Sequence, residues 1–259
     1  MKRKLLFTML LLFVTLLVPL SLFSQSRDFD MGTVLVKYNG TAANVTIPSS
    51  VTMIGNYAFS FCSSLRSITI PSSVTHIGDG AFSWCESLAS ITIPSSVTSI
   101  GEGAFLGCSS LSAITVDIQN SEYSSRNGVL FHKSLPILIQ YPAGKQERNY
   151  TIPSSVGTIG AYAFSNSGLT SITIPAGVSN IEDGAFAWCE SLTSITIPSS
   201  VTYIGDRAFA GCSSLTSITI PSSVTYIGYG AFDRCVLPAA VRNDIIRRFG
   251  EHPFFVTVW

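Results

Sequence analysis

A 23-residue period constrains this chain more than any other feature. Ile47, Ile70, Ile93 and Val116 fall at steps of 23 residues, and Ile174, Ile197 and Ile220 repeat the spacing. Ile152 opens a second block, and Ile174 follows it at 22 because the copy around AYAFSNSGLTS is one residue short. An Ala-Phe pair recurs in seven copies, at Phe59, Phe82, Phe105, Phe164, Phe186, Phe209 and Phe232. A unit this small cannot bury an apolar face alone. Stacked neighbours must share one interior, which makes the chain a solenoid.

The positions that stay apolar show how a unit is wound. Ser67-Ile68-Thr69-Ile70 alternates polar and apolar residues over a β-branched run, which predicts a short strand with its isoleucines inward. Pro71 ends that strand because it has no N–H to give. Val74 to Ile77 predicts a second short strand across the coil, and Gly78 turns the chain. Ala81-Phe82 then begins a tight turn that returns Leu88 to the next rung. The seven phenylalanines should form an inner spine.

The unit LxSITIPSSVTxIGxxAFxxCxSL, read from Leu65 onward, resembles the BspA-like class of leucine-rich repeats over about Gly32 to Leu237. The resemblance implies a surface protein of bacteria that binds other proteins. Ser73 stands where the commoner repeats place an asparagine ladder, so the loops should be stitched differently. The expected fold is a β-rich right-handed leucine-rich repeat coil of seven units with short parallel strands. An inserted β-hairpin and a C-terminal helical cap complete it.

Residues 1–24 read as an export signal. Lys2, Arg3 and Lys4 precede an apolar run from Leu5 to Val18, and Ser21, Ser24 and Ser26 offer cleavage sites. The run is short for a membrane span of about 20 residues. The mature chain is expected to be secreted or held at the cell surface, without spanning the membrane. With 15 basic and 15 acidic residues it carries no electrostatic footprint for nucleic acid.

Residues 25–46 read as an N-terminal cap, in which Asn39-Gly40 signals a hairpin between Val34-Leu35-Val36 and Val45-Thr46-Ile47. Repeats occupy 47–116 and 151–237, separated by an insertion at 117–150. Gly128–His132 and Ile137–Tyr141 predict the two strands of the inserted hairpin. It either extends the sheet as a spacer or projects as a contact element. Residues 238–259 form a C-terminal cap: Val241, Ile245 and Phe249 line one helix face, Arg242, Arg247 and Arg248 its solvated side, and Phe254 to Trp259 a last strand.

Cys62, Cys85, Cys108, Cys189, Cys212 and Cys235 share one repeat position. Stacked side chains at one position point in parallel, so the thiols are expected to be free and buried. No CxxC pair or nearby histidine pair suggests zinc, and no nucleophile elbow, HExxH helix or phosphate loop suggests catalysis. No enzyme activity, cofactor or metal is expected.

Two kinds of surface could take a partner. The outward threonines of the strands, Thr69, Thr92, Thr173, Thr196 and Thr219 among them, form a uniform row that also stabilises the sheet. Variation concentrates instead at His76, Tyr203 and Tyr226, and at Trp84 and Trp188 just before the cysteines. Exposed aromatics there would be natural hot spots, unless the rings only cover neighbouring turns. The function expected is protein binding. What the resemblance implies is adhesion to host matrix or plasma proteins, or to other microbes. An envelope assembly module is the alternative, and ice or crystal binding by threonine ladders a remote one.

Overall fold

Each repeat supplies two short strands, one to each of two walls. In Ser67–Thr69 only Ile68 is buried, so the strand shows serine and threonine outward and isoleucine inward. In His76–Ile77 the histidine faces out and the isoleucine in. This computed structural model describes residues 29–31 and 33–254. The expected export signal at 1–24 and residues 255–259 of the expected last strand lie outside the described residues. Phe254, which would begin that strand, sits in a 3-10 turn, His252–Phe254.

Stacking follows the repeat. Thr46 faces Thr69 and Thr92 faces Thr115 in parallel register, as Met53 faces His76 and Tyr203 faces Tyr226. The chain is a leucine-rich repeat solenoid of mostly parallel strands with one C-terminal helix, and it has about eight turns instead of seven. Partial turns account for the difference. Val34 and Leu35 pair in parallel with Met53 and Ile54, and Ile137 and Leu138 with Thr158 and Ile159.

The phenylalanine spine is present. Phe59 and Phe82 stack at 5.2 Å, Phe82 and Phe105 at 5.8 Å, and Phe164, Phe186, Phe209 and Phe232 at 5.1–5.4 Å. Tyrosine opens each run, with Tyr38 against Phe59 and Tyr141 against Phe164. The spine is not continuous. Phe105 belongs to one hydrophobic core and Tyr141 to a second, so the insertion divides the interior.

Polar ladders stitch the rungs outside that interior. Ser73, Ser96, Ser200 and Ser223 each donate their hydroxyl to a valine carbonyl one rung back, at 2.5–2.8 Å. These serines replace the asparagine ladder, as Ser73 implied. Asn56, Asp79, Asp183 and Asp206 form a second ladder, in which each side-chain oxygen accepts a backbone N–H from the next rung at 2.8–3.0 Å. A Cβ on Gly78 would come 2.6 Å from the Asn56 nitrogen, so only glycine fits beside this ladder. All six cysteines are free, and five donate their thiol to a phenylalanine carbonyl at 3.0–3.1 Å.

Four details depart from the sequence reading. Asn39-Gly40 closes no hairpin: Val34–Tyr38 and Asn44–Thr46 lie in different sheets, because the chain is already winding from one wall to the other. Val34–Tyr38 pairs instead with Phe29–Met31, antiparallel. The insertion has three strands, since Tyr123–Arg126 joins Val129–His132 and Ile137–Gln140. It is built inward: Tyr123 and Leu130 enter the first core, and Val129 and Leu138 the second.

The fourth concerns the C-terminal helix, Ala239–Phe249, which buries Ile245 and rests Val241 and Phe249 on the last rung. Arg248 is not on its solvated side. Its guanidinium donates to the carbonyls of Ile220 and Pro221 at 2.8 Å and of Val224 at 3.3 Å. Among the described residues no further rung lies above those carbonyls, and the arginine supplies the missing donors.

Candidate functional site

The ten sequence candidates fall on three faces. Thr69, Thr92, Thr173, Thr196 and Thr219 are exposed on the Ser/Thr wall, which is divided into sheets of two, two and four strands. His76 and the tyrosines share the opposite wall but lie in separate sheets, His76 between Met53 and Ser99. Tyr203 and Tyr226 come together, stacked at 5.0 Å and 3° from parallel. Partial burial and the nearby carboxylates of Asp183 and Asp206 hold both phenols above their ordinary pKa. The structure places Trp84 and Trp188 elsewhere, on the turns between the walls.

Those turns carry a feature that sequence reasoning missed. Two positions in every turn have left-handed backbone. One is Tyr57, Gly80, Gly103, Tyr162, Gly184, Arg207 and Gly230; the other is Phe61, Trp84, Gly107, Asn166, Trp188, Gly211 and Arg234. Their φ angles lie between 54° and 76°. Glycine adopts this conformation freely, whereas other residues are strained by about 1–2 kcal/mol. The signal was available, because glycine alternates with bulky residues at both positions. A glycine in one copy marks the backbone that a tyrosine or tryptophan must adopt in the next.

The bulky side chains have a common packing. A Cβ on Gly107 would sit 2.6 Å from the Trp84 ring, one on Gly211 2.7 Å from Trp188, and one on Gly184 2.5 Å from Tyr162. Each ring therefore lies flat on a neighbouring glycine. Phe61 stacks on Trp84 at 6.3 Å, and the Arg234 guanidinium lies 5.2 Å from the Trp188 ring. The rings do cover their neighbours, yet Phe61 remains 72% exposed, Tyr57 58% and Trp188 40%.

A groove runs between these side chains. One portion, about 270 Å³, is lined by Trp84, Leu106, Tyr162, Trp188, Arg207 and Arg234, among others. A second, about 190 Å³, shares Trp84, Leu106 and Tyr162 and continues to Tyr57 and Phe61. The result is a shallow aromatic track with two arginines at one end. Among the described residues no group of three or more histidines, cysteines or acids could hold a metal, and no helix is long and apolar enough to cross a membrane.

Comparison with known proteins gives a consistent result. A family model described as "BspA type leucine rich repeat region" matches six copies, over residues 37–135 and 143–257. A solved leucine-rich repeat protein from Eubacterium ventriosum shares the fold, with TM-score 0.53 and 24% identity over 79% of this chain and 89% of that one. A leucine rich cell surface protein from Faecalibacterium prausnitzii gives TM-score 0.59 and 34% identity over 80% of this chain and 62% of that one. The pneumococcal vaccine antigen PcpA gives TM-score 0.62 and 25% identity over 77% and 55%. The chain thus spans less than two thirds of the last two proteins. No curated protein matches it.

Proposed function

The chain belongs to the BspA-type leucine-rich repeat family, and from that premise we propose that it is a protein-binding module displayed at or released from a bacterial surface. The similar cell surface protein from Faecalibacterium prausnitzii supports the location, as does the basic-then-apolar run at residues 1–24. The reading is adhesion to host matrix or plasma proteins, or to other microbes, through the turn-edge track and without catalysis.

One observation carries this reading. Tyr57, Phe61, Trp84, Tyr162 and Trp188 occupy left-handed positions where other copies hold glycine. Stability alone favours glycine there. Large aromatics kept at a conformational cost, and partly open to solvent, are what a contact surface needs. The Ser/Thr wall is a weaker candidate, because the insertion separates Ala113–Val116 from Asn149–Thr151 and interrupts the flat array that ice or crystal binding requires.

The test uses glycine as the replacement. Trp84→Gly with Trp188→Gly relieves two left-handed side chains while uncovering Gly107 and Gly211. Unfolding free energy should therefore move by no more than about 1–2 kcal/mol. Retention on immobilised fibronectin, fibrinogen or whole bacteria should fall at least about tenfold for whichever surface holds the parent chain. Unchanged retention would remove the track from the binding surface. If the parent chain is held by none of these surfaces at micromolar concentration, adhesion to them is wrong.

A further inference from the structure

The insertion leaves a gap in the ladder of rungs, and the gap is chemically unfinished. On the turn edge each rung gives backbone N–H groups to carbonyls of the next: Gly80 to Glu102, Phe82 to Ala104 and Trp84 to Leu106, at 2.6–2.9 Å. One rung on, the equivalent donors are Gly103, Phe105 and Gly107, and among the described residues no acceptor meets them. The wall shows the complementary vacancy. Ile54 and Ile77 carbonyls accept from Gly78 and Gly101 at 2.8 Å, whereas none of the described residues donates to the Ile100 carbonyl. The Ile100 N–H is capped by a side chain, the Tyr123 hydroxyl, at 2.9 Å.

A cleft of about 340 Å³ opens at this place. Ile100, Gly103 and Phe105 form one side and Ile137, Ile139 and Thr158 the other. Three carboxylates, Glu102, Glu182 and Asp183, also line it, with Tyr123, His132 and Gln140, and the lining contains no lysine or arginine. None of the three belongs to an ion pair among the described residues. Asp183 is engaged through one oxygen by the Asp206 N–H, and Glu182 by the Asn180 amide at 3.3 Å.

We propose that this cleft docks an extended segment of a partner protein that carries a lysine or arginine. Such a strand would meet the unpaired carbonyl and N–H groups of the last rung of the first block, as partners add to any open sheet edge. Its cationic side chain would lie among the three acids, which no lysine or arginine of the cleft balances. The cleft meets the track at Glu102 and Gly103 but includes none of its rings, so the turn-edge reading can fail without it.

The probe is a rung-like peptide, acetyl-Val-Thr-Arg-Ile-Gly-amide, titrated into the full chain by calorimetry and by ¹⁵N NMR. Saturable binding is expected, with the largest amide shifts at Ile100, Gly103 and Phe105. The same peptide with aspartate for arginine should bind at least tenfold more weakly. Glu102→Gln with Glu182→Gln should weaken the arginine peptide at least tenfold while the spectrum elsewhere stays in place. No saturation at millimolar peptide, equal affinity for the two peptides, or shifts confined to the Trp84–Trp188 track would each overturn the proposal.

Discussion

Truncating the spine should cost different amounts at different rungs, and the structure says where. Phe186 is fully buried and stacks on both Phe164 and Phe209 at 5.1 Å. Phe105 is nearly as sheltered, but among the described residues it stacks on Phe82 alone, at 5.8 Å, and it borders the cleft. A buried Phe→Ala change costs about 3–5 kcal/mol, and each aromatic pair about 0.5–1.5 kcal/mol beyond the area it buries. Phe186→Ala loses two pairs and leaves a void closed on both sides, so it belongs at about 4–5 kcal/mol. Phe105→Ala loses one pair beside a space that water already reaches, so it belongs at about 3 kcal/mol. Urea unfolding followed by far-ultraviolet circular dichroism gives both values from the shift in midpoint at constant slope. Equal losses, or a greater loss at Phe105, would refute the idea that the insertion divides the interior.

Three further outcomes are expected. Tyr141 is fully buried and its hydroxyl has no hydrogen-bond partner among the described residues, so Tyr141→Phe should raise stability by about 1 kcal/mol; a loss of that size would mean the hydroxyl is satisfied. Arg248→Ala removes the donors to three carbonyls of the final rung and should cost about 1–3 kcal/mol in thermal or urea unfolding, with no effect showing the cap to be dispensable. Burial pushes the Cys108 thiol up to about 12 from 9.0, so the fold favours the neutral form. That contribution is complete below pH 9 and is lost as the pH climbs toward about 12; Cys108→Ala should flatten the fall in urea midpoint over this window.

Much of the fold could be read because each regular rung repeats the same physical solution. The inward isoleucines, the phenylalanine spine, the parallel unbridged cysteines and the apolar face of the C-terminal helix all follow from periodicity. The departures lie where a residue does a rung's work without its sequence. Tyr38 and Tyr141 continue the spine after Leu-Val-Lys and Leu-Ile-Gln, stretches too unlike the repeat for a 23-residue ruler to find. Arg248 caps carbonyls from a helix where spacing alone suggested a solvated side chain. Tyr123 supplies a hydroxyl where the ladder would have used a carbonyl.

The candidate site was half legible. Trp84 and Trp188 stood out by variation, but their link to Tyr57 and Tyr162 depends on which turn positions share left-handed backbone. That link needed the glycine pattern of two rows read together. Tyr203 and Tyr226 do meet, while His76 stands in a separate sheet, because the insertion falls between their rungs.

Native-state hydrogen exchange tests the central claim most directly: two stacks of coils, each sharing one interior, meeting at an unfinished rung. The amides of Phe59, Phe82, Phe164, Phe186 and Phe209 each donate to the next rung at 2.7–2.8 Å and should exchange slowly. Phe105, nearly as buried but at the gap, should exchange faster by at least about a hundredfold. Uniform protection across all six phenylalanines would show an unbroken stack, and uniformly fast exchange would show no shared interior at all.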